Sequence, residues 1–545
     1  MIPSFLTLLS ALLLAASFPP WNLAGLVAFA LVPWLLGLLK TRSWKEALLQ
    51  GALLSTAFSC LTFYWVAGTL HEFGMMSWPP AILLFLLFAP LNQPIFIFGA
   101  IPLRAALLRL TSKNPESTVR QGLLLVAGVA LTYAGADTVF PKLFRDTLGH
   151  AFHDSSQIRQ VADLGGASLL TFLVVVSNLA VAGLFWRRRE REERSIWPAW
   201  SASLPALLLG LTLWLGAWGY GFQREKQVLR WMKNPRHTFQ AALIQGNIGD
   251  FEKVAAKQGV RGAARKVLDT YFSLSDEALT LQPKPEVVIW PETAYPSTFR
   301  TPMTSDELLR DQQVEAWSRS KKVPILFGGY DHSNGLDYNA LFFLYPEAQV
   351  GVSGAQDLAI YRKNILLMFG EYLPGASWLP FLKNIFPMVA NFGRGVGPET
   401  IGIPIDSKRS VQAGPIICYE ALFPSYVLDA ARKGSELILN ITNDSWFGDS
   451  AEPELHFSLT RFRSIEARVP QLRGTNTGIS ALVLPDGSIA RSTPTFRPGI
   501  LNVTVPVLPP LGSLQVRWGD WFPGFSLLVG GLLLFREFRR TQSGV

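Results

Sequence analysis

The chain has 545 residues, 49% of them hydrophobic and only 16% charged, with 49 Lys and Arg against 40 Asp and Glu for a net charge of +9. At about 150 residues per domain this length would allow three or four soluble domains, but so little charge is the balance of a membrane protein. The basic excess is spread along the chain rather than gathered in one block, which argues against a nucleic-acid surface. The only cysteines, Cys60 and Cys418, lie far apart in segments of different character, so neither a disulfide framework nor a thiolate zinc site can be assembled.

A helix that crosses the hydrocarbon needs about 17–25 mostly apolar residues. Seven candidates precede residue 223, at about 3–18, 21–39, 46–70, 79–103, 121–140, 161–186 and 203–222, and an eighth runs over about 521–535. Ala15-Ala16-Ser17 resembles a signal-peptide processing site, but no Lys or Arg precedes Lys40 to form a basic leader, so the first segment is read as a span. Basic residues follow every second span: Lys40, Arg42 and Lys45; Arg104, Arg109, Lys113 and Arg120; Arg187 to Arg189, Arg191 and Arg194; Arg536, Arg539 and Arg540. The alternate loops are poor in positive charge, which places both termini in the cytoplasm and the long insertion before the last span outside it. His71 and Glu72 read as interfacial, and His150 and His153 as part of a solvated loop.

From about 223 to 519 the pattern changes to short β-rich runs alternating with polar helical stretches. Strands are predicted at 239–245, 286–290, 323–328, 339–345, 357–362, 413–418, 436–441 and 479–484, with helices at 252–281, 304–320, 422–433 and 454–469. Apolar runs alternating with helices indicate a layered α/β domain.

Three of these strand ends carry reactive side chains. One runs into Pro291-Glu292, another into Lys363, and a third ends at Cys418, followed by Tyr419-Glu420. Taken singly, each has an ordinary explanation: a buried small hydrophobe, a cap, a surface charge. Together they make a workable nucleophilic site, since a thiol needs a base and an ammonium stabilises a developing oxyanion. The N–H of Tyr419 would be a second donor to that oxyanion. No His near Cys418 completes a papain-like pair, and no G-x-S-x-G offers another nucleophile.

Trp290-Pro291-Glu292-Thr293, Tyr361-Arg362-Lys363 followed by Phe369-Gly370-Glu371-Tyr372-Leu373-Pro374, and Ile417-Cys418-Tyr419-Glu420 resemble the Glu, Lys and Cys motifs of the nitrilase superfamily. The segment from Thr442 through Asn443, Asp444, Ser445, Trp446 and Phe447 to Gly448, the run from Arg473 to Ser480, Phe63-Tyr64-Trp65-Val66 and the flanking spans narrow the resemblance. The chain is similar to the apolipoprotein N-acyltransferases, a membrane-embedded branch of that superfamily. The resemblance implies a multi-span α-helical membrane domain of about eight helices plus an α/β nitrilase-like αββα sandwich. Its parts would be a membrane domain over 1–222, an extracytoplasmic catalytic domain over 223–519, and a last helix with a cytoplasmic tail over 520–545.

The resemblance further implies Cys418 as nucleophile, Glu292 as general base and Lys363 as oxyanion-stabilising cation, supported by Glu371, Glu420, Tyr419 and Asn339. Trp446 and Phe447 would contact substrate, and the apolar run after Glu371 that holds Trp378, Phe381 and Phe386 reads by itself as a lipid-contacting arm. An acyl chain, the sn-1 chain of phosphatidylethanolamine, would pass through a Cys thioester to the N-terminal amine of a diacylglyceryl-modified apolipoprotein, in a bacterial inner membrane with the catalytic domain on the periplasmic side. No metal, cofactor or nucleic acid is implied. Where the family often has Pro and Ala, this chain has Met368 and Gly474, which bears on loop stiffness rather than chemistry. Two other readings are a membrane-tethered nitrilase-type amidase, which would need a closed polar pocket, and a transporter or receptor, for which the spans offer only Asp137, Asp163 and Glu72.

Overall fold

The computed structural model describes residues 2–111, 119–189, 203–249, 262–349, 356–385 and 389–542. The chain divides into two compact units, one of Met1–Gln227, Glu454–Phe462 and Trp518–Val545, the other of Val228–Pro453 and Arg463–Arg517.

The first unit is helical. Among the described residues, five helices are long and apolar enough to cross a membrane: Trp78–Arg109, Val119–Val139, Ile158–Phe185, Leu204–Met232 and Trp521–Arg540. Trp44–Thr62 and Trp65–Glu72 form a sixth candidate as a pair bent by 66°. The first two expected spans are shorter than expected. Ile2–Ala16 is a helix of 15 residues, and 21–39 holds a 3₁₀ turn, Ala24–Ala28, before the eight-residue helix Val32–Leu39. Pro33 stands in the first turn of that last helix, where its missing N–H costs nothing but could not continue an earlier helix.

Only 17% of the apolar stretch of Leu204–Met232 is covered by protein. Its Leu208, Leu211, Leu215 and Trp218 stand exposed, an arrangement suited to hydrocarbon and costly in water. Within the unit, Val119–Val139 packs closely on Trp521–Gln542. A Cβ on Gly135 would come within 2.6 Å of Pro523 O, so this close approach depends on the missing side chain. Several buried polar side chains of the unit are paired within it. Asn178 receives the N–H of Leu31 and donates to the carbonyls of Val27 and Val174. Asp163 accepts from Arg224 and Tyr220, each at 2.6 Å, and Asp137 is paired with Lys142. Neither carboxylate is therefore an open charge of the kind a transport pathway requires.

His150 and His153 are not in a solvated loop. Both are 4% exposed in the 3₁₀ helix Leu148–Asp154. His150 Nδ1 accepts from the N–H of Thr147 at 3.0 Å, and His153 Nε2 lies 3.2 Å from Asp154. A short spacing between polar residues reads as loop, whereas local side-chain-to-backbone bonds have here made a buried turn of it.

Among the described residues the second unit is built on twelve strands. In chain order, β1 is His237–Gln245, β2 Val287–Ile289, β3 Ile325–Ser333, β4 Leu336–Gln349, β5 Gln356–Arg362 and β6 Ile401–Pro404. They are followed by β7 Ser410–Ile417, β8 Leu437–Thr442, β9 Gln471–Thr475, β10 Ala481–Val483, β11 Ile489–Ser492 and β12 Gly499–Val507. One sheet has the order β12-β1-β2-β3-β4-β5 and the other β11-β10-β9-β8-β7-β6. The centres are parallel (β1, β2, β3 and β7, β8, β9) and the margins antiparallel. This explains the composition of β2 and β8: parallel strands covered on both faces read as unbroken apolar runs, and every residue of both is buried.

Helices Ala263–Ala278 and Ser305–Lys321 cover the first sheet through Tyr271, Val314 and Trp317, which pack with Trp290 and Phe327. Helix Pro424–Arg432 and Ala467 pack on Ile416 and Ile438 of the second sheet. On the opposite face, the Cα of Gly474 looks at Leu243 and Ile289 of the first sheet, with room for a methyl group at 3.6 Å. The unit is an αββα sandwich. Four strands, β6, β9, β11 and β12, lie outside the predicted set. The predicted helix at 252–281 is present as Ala263–Ala278, and 252–261 lie outside the described residues.

Candidate active site

Glu292 follows β2, Lys363 follows β5 and Cys418 follows β7, so three strand ends bring the three side chains to one place. Trp290 anchors the first of these. It is fully buried, stacks on Tyr271 at 5.1 Å and donates its ring N–H to Ser275 at 2.8 Å, which fixes the backbone that delivers Glu292. On β3, Gly328 permits that delivery, because a Cβ there would lie 2.6 Å from Glu292 Cα.

Around Lys363 the polar groups close on one another. Its ammonium donates to Glu371 at 2.9 Å and to Glu292 at 3.3 Å, while the side-chain amide of Asn339 donates to the same two carboxylates at 2.7 Å each. The N–H of Lys363 in turn donates to Asn339 O at 2.8 Å, and Glu371 also takes the N–H of Leu367 at 2.8 Å. All four residues are buried, with Lys363 only 1% exposed. Burial raises the pKa of Glu292, the charge of Glu371 adds to the rise, and Lys363 opposes it. Burial lowers the pKa of Lys363, but the charges of Glu292 and Glu371 outweigh it and hold the ammonium well above the usual lysine range.

Cys418 begins the 3₁₀ helix Cys418–Leu422 with φ +49°, in the left-handed region. For a residue with a Cβ this costs about 1–2 kcal/mol, and such strain is characteristic of turns that present a reacting side chain. Burial pushes the thiol pKa well up; Glu292 and Asp444 raise it further and Lys363 lowers it.

Glu420 holds the Lys363 and Cys418 turns together. One of its oxygens accepts the N–H groups of Asn364 at 2.7 Å and Ile365 at 3.1 Å, just past Lys363. The other accepts the N–H of Ile417 at 2.8 Å, just before Cys418, and the hydroxyl of Tyr361 at 2.7 Å. Tyr361 is also bonded to Tyr426 at 2.7 Å. Tyr419 is buried edge-on against Phe423.

Beyond β8, Asp444 opens the short 3₁₀ helix Asp444–Phe447 that carries Trp446, 41% exposed, and Phe447. Asp444 is ion-paired at 3.0 Å with Arg473 of β9, and both are fully buried. Trp378 and Phe381 are 87% and 55% exposed. Phe386 lies outside the described residues. The roles of Tyr426 and of the Asp444–Arg473 pair were missed from sequence. A charge inside the strand Gln-Leu-Arg-Gly-Thr, with an acid in the motif at Asn443-Asp444, is the available signal.

Residues 240–507 match the carbon-nitrogen hydrolase family and residues 10–180 match the apolipoprotein N-acyltransferase N-terminal domain. The chain is 32% identical to an apolipoprotein N-acyltransferase of Bdellovibrio bacteriovorus, over 98% of this chain and 94% of that one. It is 29% identical to that of Geobacter metallireducens, over 98% and 95%. Among solved structures, an amidase from Nesterenkonia sp. is similar at 16% identity with a TM-score of 0.34, over 53% of this chain and 96% of that one. With relatives of that name aligned along nearly its whole length and both domain families matched in order, the chain belongs to the apolipoprotein N-acyltransferase family.

Proposed function

We propose that this protein is a membrane-bound acyltransferase that moves a fatty acyl chain from a phospholipid, by way of a thioester on Cys418, to the N-terminal amine of a diacylglyceryl-modified lipoprotein. The observation that carries the reading is the convergence of Glu292, Lys363 and Cys418 from three strand ends of one buried site.

The charge balance suggests how the first step proceeds. Two carboxylates and one ammonium already share a buried space, so a thiolate formed by loss of a proton to water would add an uncompensated negative charge there. Transfer of the thiol proton to Glu292 leaves the total charge unchanged. The sulfur attacks the ester carbonyl, and the oxyanion is met by the Lys363 ammonium and the N–H of Tyr419. Glu292 then returns the proton to the departing lysophospholipid oxygen. In the second half the lipoprotein amine attacks the thioester, Glu292 takes the proton of the nitrogen, and Cys418 leaves and is reprotonated. Asn339 and Glu371 hold Glu292 and Lys363 in alignment. Phosphatidylethanolamine is the proposed donor. We place the catalytic unit, 223–519, on the periplasmic face of the inner membrane, with both termini in the cytoplasm and 1–222 and 520–545 as its membrane parts. Acyl-bearing substrates then reach the site without leaving the bilayer.

Intact-mass analysis of protein incubated with phosphatidylethanolamine vesicles tests this. A fatty-acyl increment located on Cys418 and discharged by a lipidated peptide is expected, and Glu292→Gln should remain unmodified. An acyl group on another residue, or discharge to water at the same rate with and without peptide, would overturn the assignment.

A further inference from the structure

β7 and β8 run parallel with Ile417 opposite Ile441, so the next residue of each strand, Cys418 and Thr442, stand side by side at the carboxyl ends. Thr442 is fully buried, and its hydroxyl has no partner of ordinary hydrogen-bond geometry among the described residues. A buried hydroxyl without a partner costs free energy. A valine would fill the same space without the penalty. The neighbour of Thr442 across the β7–β8 register is Cys418, and a hydroxyl placed beside that thiol favours the ionised form. The charged groups acting on that thiol are Glu292 from the end of β2, Lys363 from the end of β5 and Asp444 just beyond β8. Two of the three disfavour a thiolate, so a neutral donor aimed at the sulfur adds stabilisation that Lys363 alone must otherwise supply.

We propose that Thr442 is a further catalytic residue, whose hydroxyl donates a hydrogen bond to Sγ of Cys418 as the proton passes from sulfur to Glu292. The donor has little to bond in the resting thiol and gains its partner only as charge develops, so it favours the reacting state over the ground state. This rests on Cys418 being the nucleophile.

The test is alkylation of Cys418 by iodoacetamide in the full-length protein, followed by peptide mass so that Cys60 is counted separately, across a pH series. In Thr442→Val the profile should move about one unit to the alkaline side, so that modification at neutral pH slows about tenfold, since one pKa unit is a factor of ten. Thr442→Ser should restore it. Melting temperature should be unchanged or raised in Thr442→Val, because an unpaired buried hydroxyl has been removed. Thr442→Ala carries the same prediction for the thiol should the valine variant fold poorly. An unshifted profile in both Val and Ala variants, or a serine variant no better than valine, overturns the proposal. The readout needs no lipid, so its failure is separable from that of the acyltransferase reading, which would show as a wild-type Cys418 that takes no acyl group from phospholipid.

Discussion

Replacing Glu420 by Gln should loosen the active site at a point where nothing reacts. The carboxylate accepts four hydrogen bonds, two at each oxygen. An amide offers one accepting oxygen and one donating NH2. Its cheaper orientation keeps the oxygen on the N–H groups of Asn364 and Ile365 and sets the NH2 against Ile417 N–H and the Tyr361 hydroxyl. Tyr361 can turn to accept, but the Ile417 N–H is stranded in the interior, at about 1–3 kcal/mol. The two surviving bonds also fall from charge-assisted to neutral strength, about 1 kcal/mol each. Relief from burying a charge, the same burial that raises the pKa of Glu420, offsets part of this. A net loss of about 2–4 kcal/mol remains, or roughly 5–10 °C in Tm for a unit of this size. The larger effect falls on the chemistry. Glu420 ties the backbone beside Lys363 to the backbone beside Cys418, and misplacing reacting groups by about 1 Å can cost about a hundredfold in rate. Tm by intrinsic fluorescence and single-turnover thioester formation by intact mass read the two effects. A Glu420→Gln protein that melts with the wild type and acylates at the wild-type rate would refute the reasoning.

Thioester formation should fall at acidic pH, because the step needs Glu292 as carboxylate and burial with Glu371 has raised its pKa, so the acid limb lies above the ordinary Glu value of 4.5. In Glu371→Gln the charge that raises it is gone and that limb should move to lower pH, though the plateau rate falls as Lys363 loses a partner; an upward move would contradict the charge argument. Trp378 and Phe381 are exposed, so changing both to Ser should alter stability by less than about 0.5 kcal/mol. If they hold acyl chains, the apparent KM for phospholipid should rise about tenfold or more, from about 1.5–3 kcal/mol per buried side chain; a collapse in Tm with unaltered KM would mark them as packing instead. A reporter inserted near Ser275 should label as extracytoplasmic and one after Arg188 as cytoplasmic, from the loop charges. The reverse pattern would overturn the proposed orientation.

The readable and unreadable parts of this chain differ in how far each feature depends on distant partners. The eight predicted strands were visible because apolar runs bounded by turn residues are local, and Glu292, Lys363 and Cys418 stood out as reactive groups where such runs stop. β9 was not visible, because Arg473 interrupts its apolar pattern. Its burial is made tolerable by Asp444, 29 residues earlier, a pairing that no local window contains. β12 is an edge strand with Pro506 in it, which by itself argues against a strand at all. Hydropathy likewise measured the length of apolar segments but not their breaks, so 46–70 read as one span where the helix bends by 66° between Thr62 and Trp65. Glu420 could be named from its motif, yet its hold on Lys363 runs through backbone N–H groups 55 and 56 residues away, which exist in the sequence only as peptide bonds like any other. Thr442 takes this furthest. Its hydroxyl is as ordinary as any threonine's until β7 and β8 pair in parallel, and a one-residue slip in that register would turn it away from the thiol. What makes it chemically distinct is the strand beside it, so a site of this kind has to be read from register before it can be read from residue type.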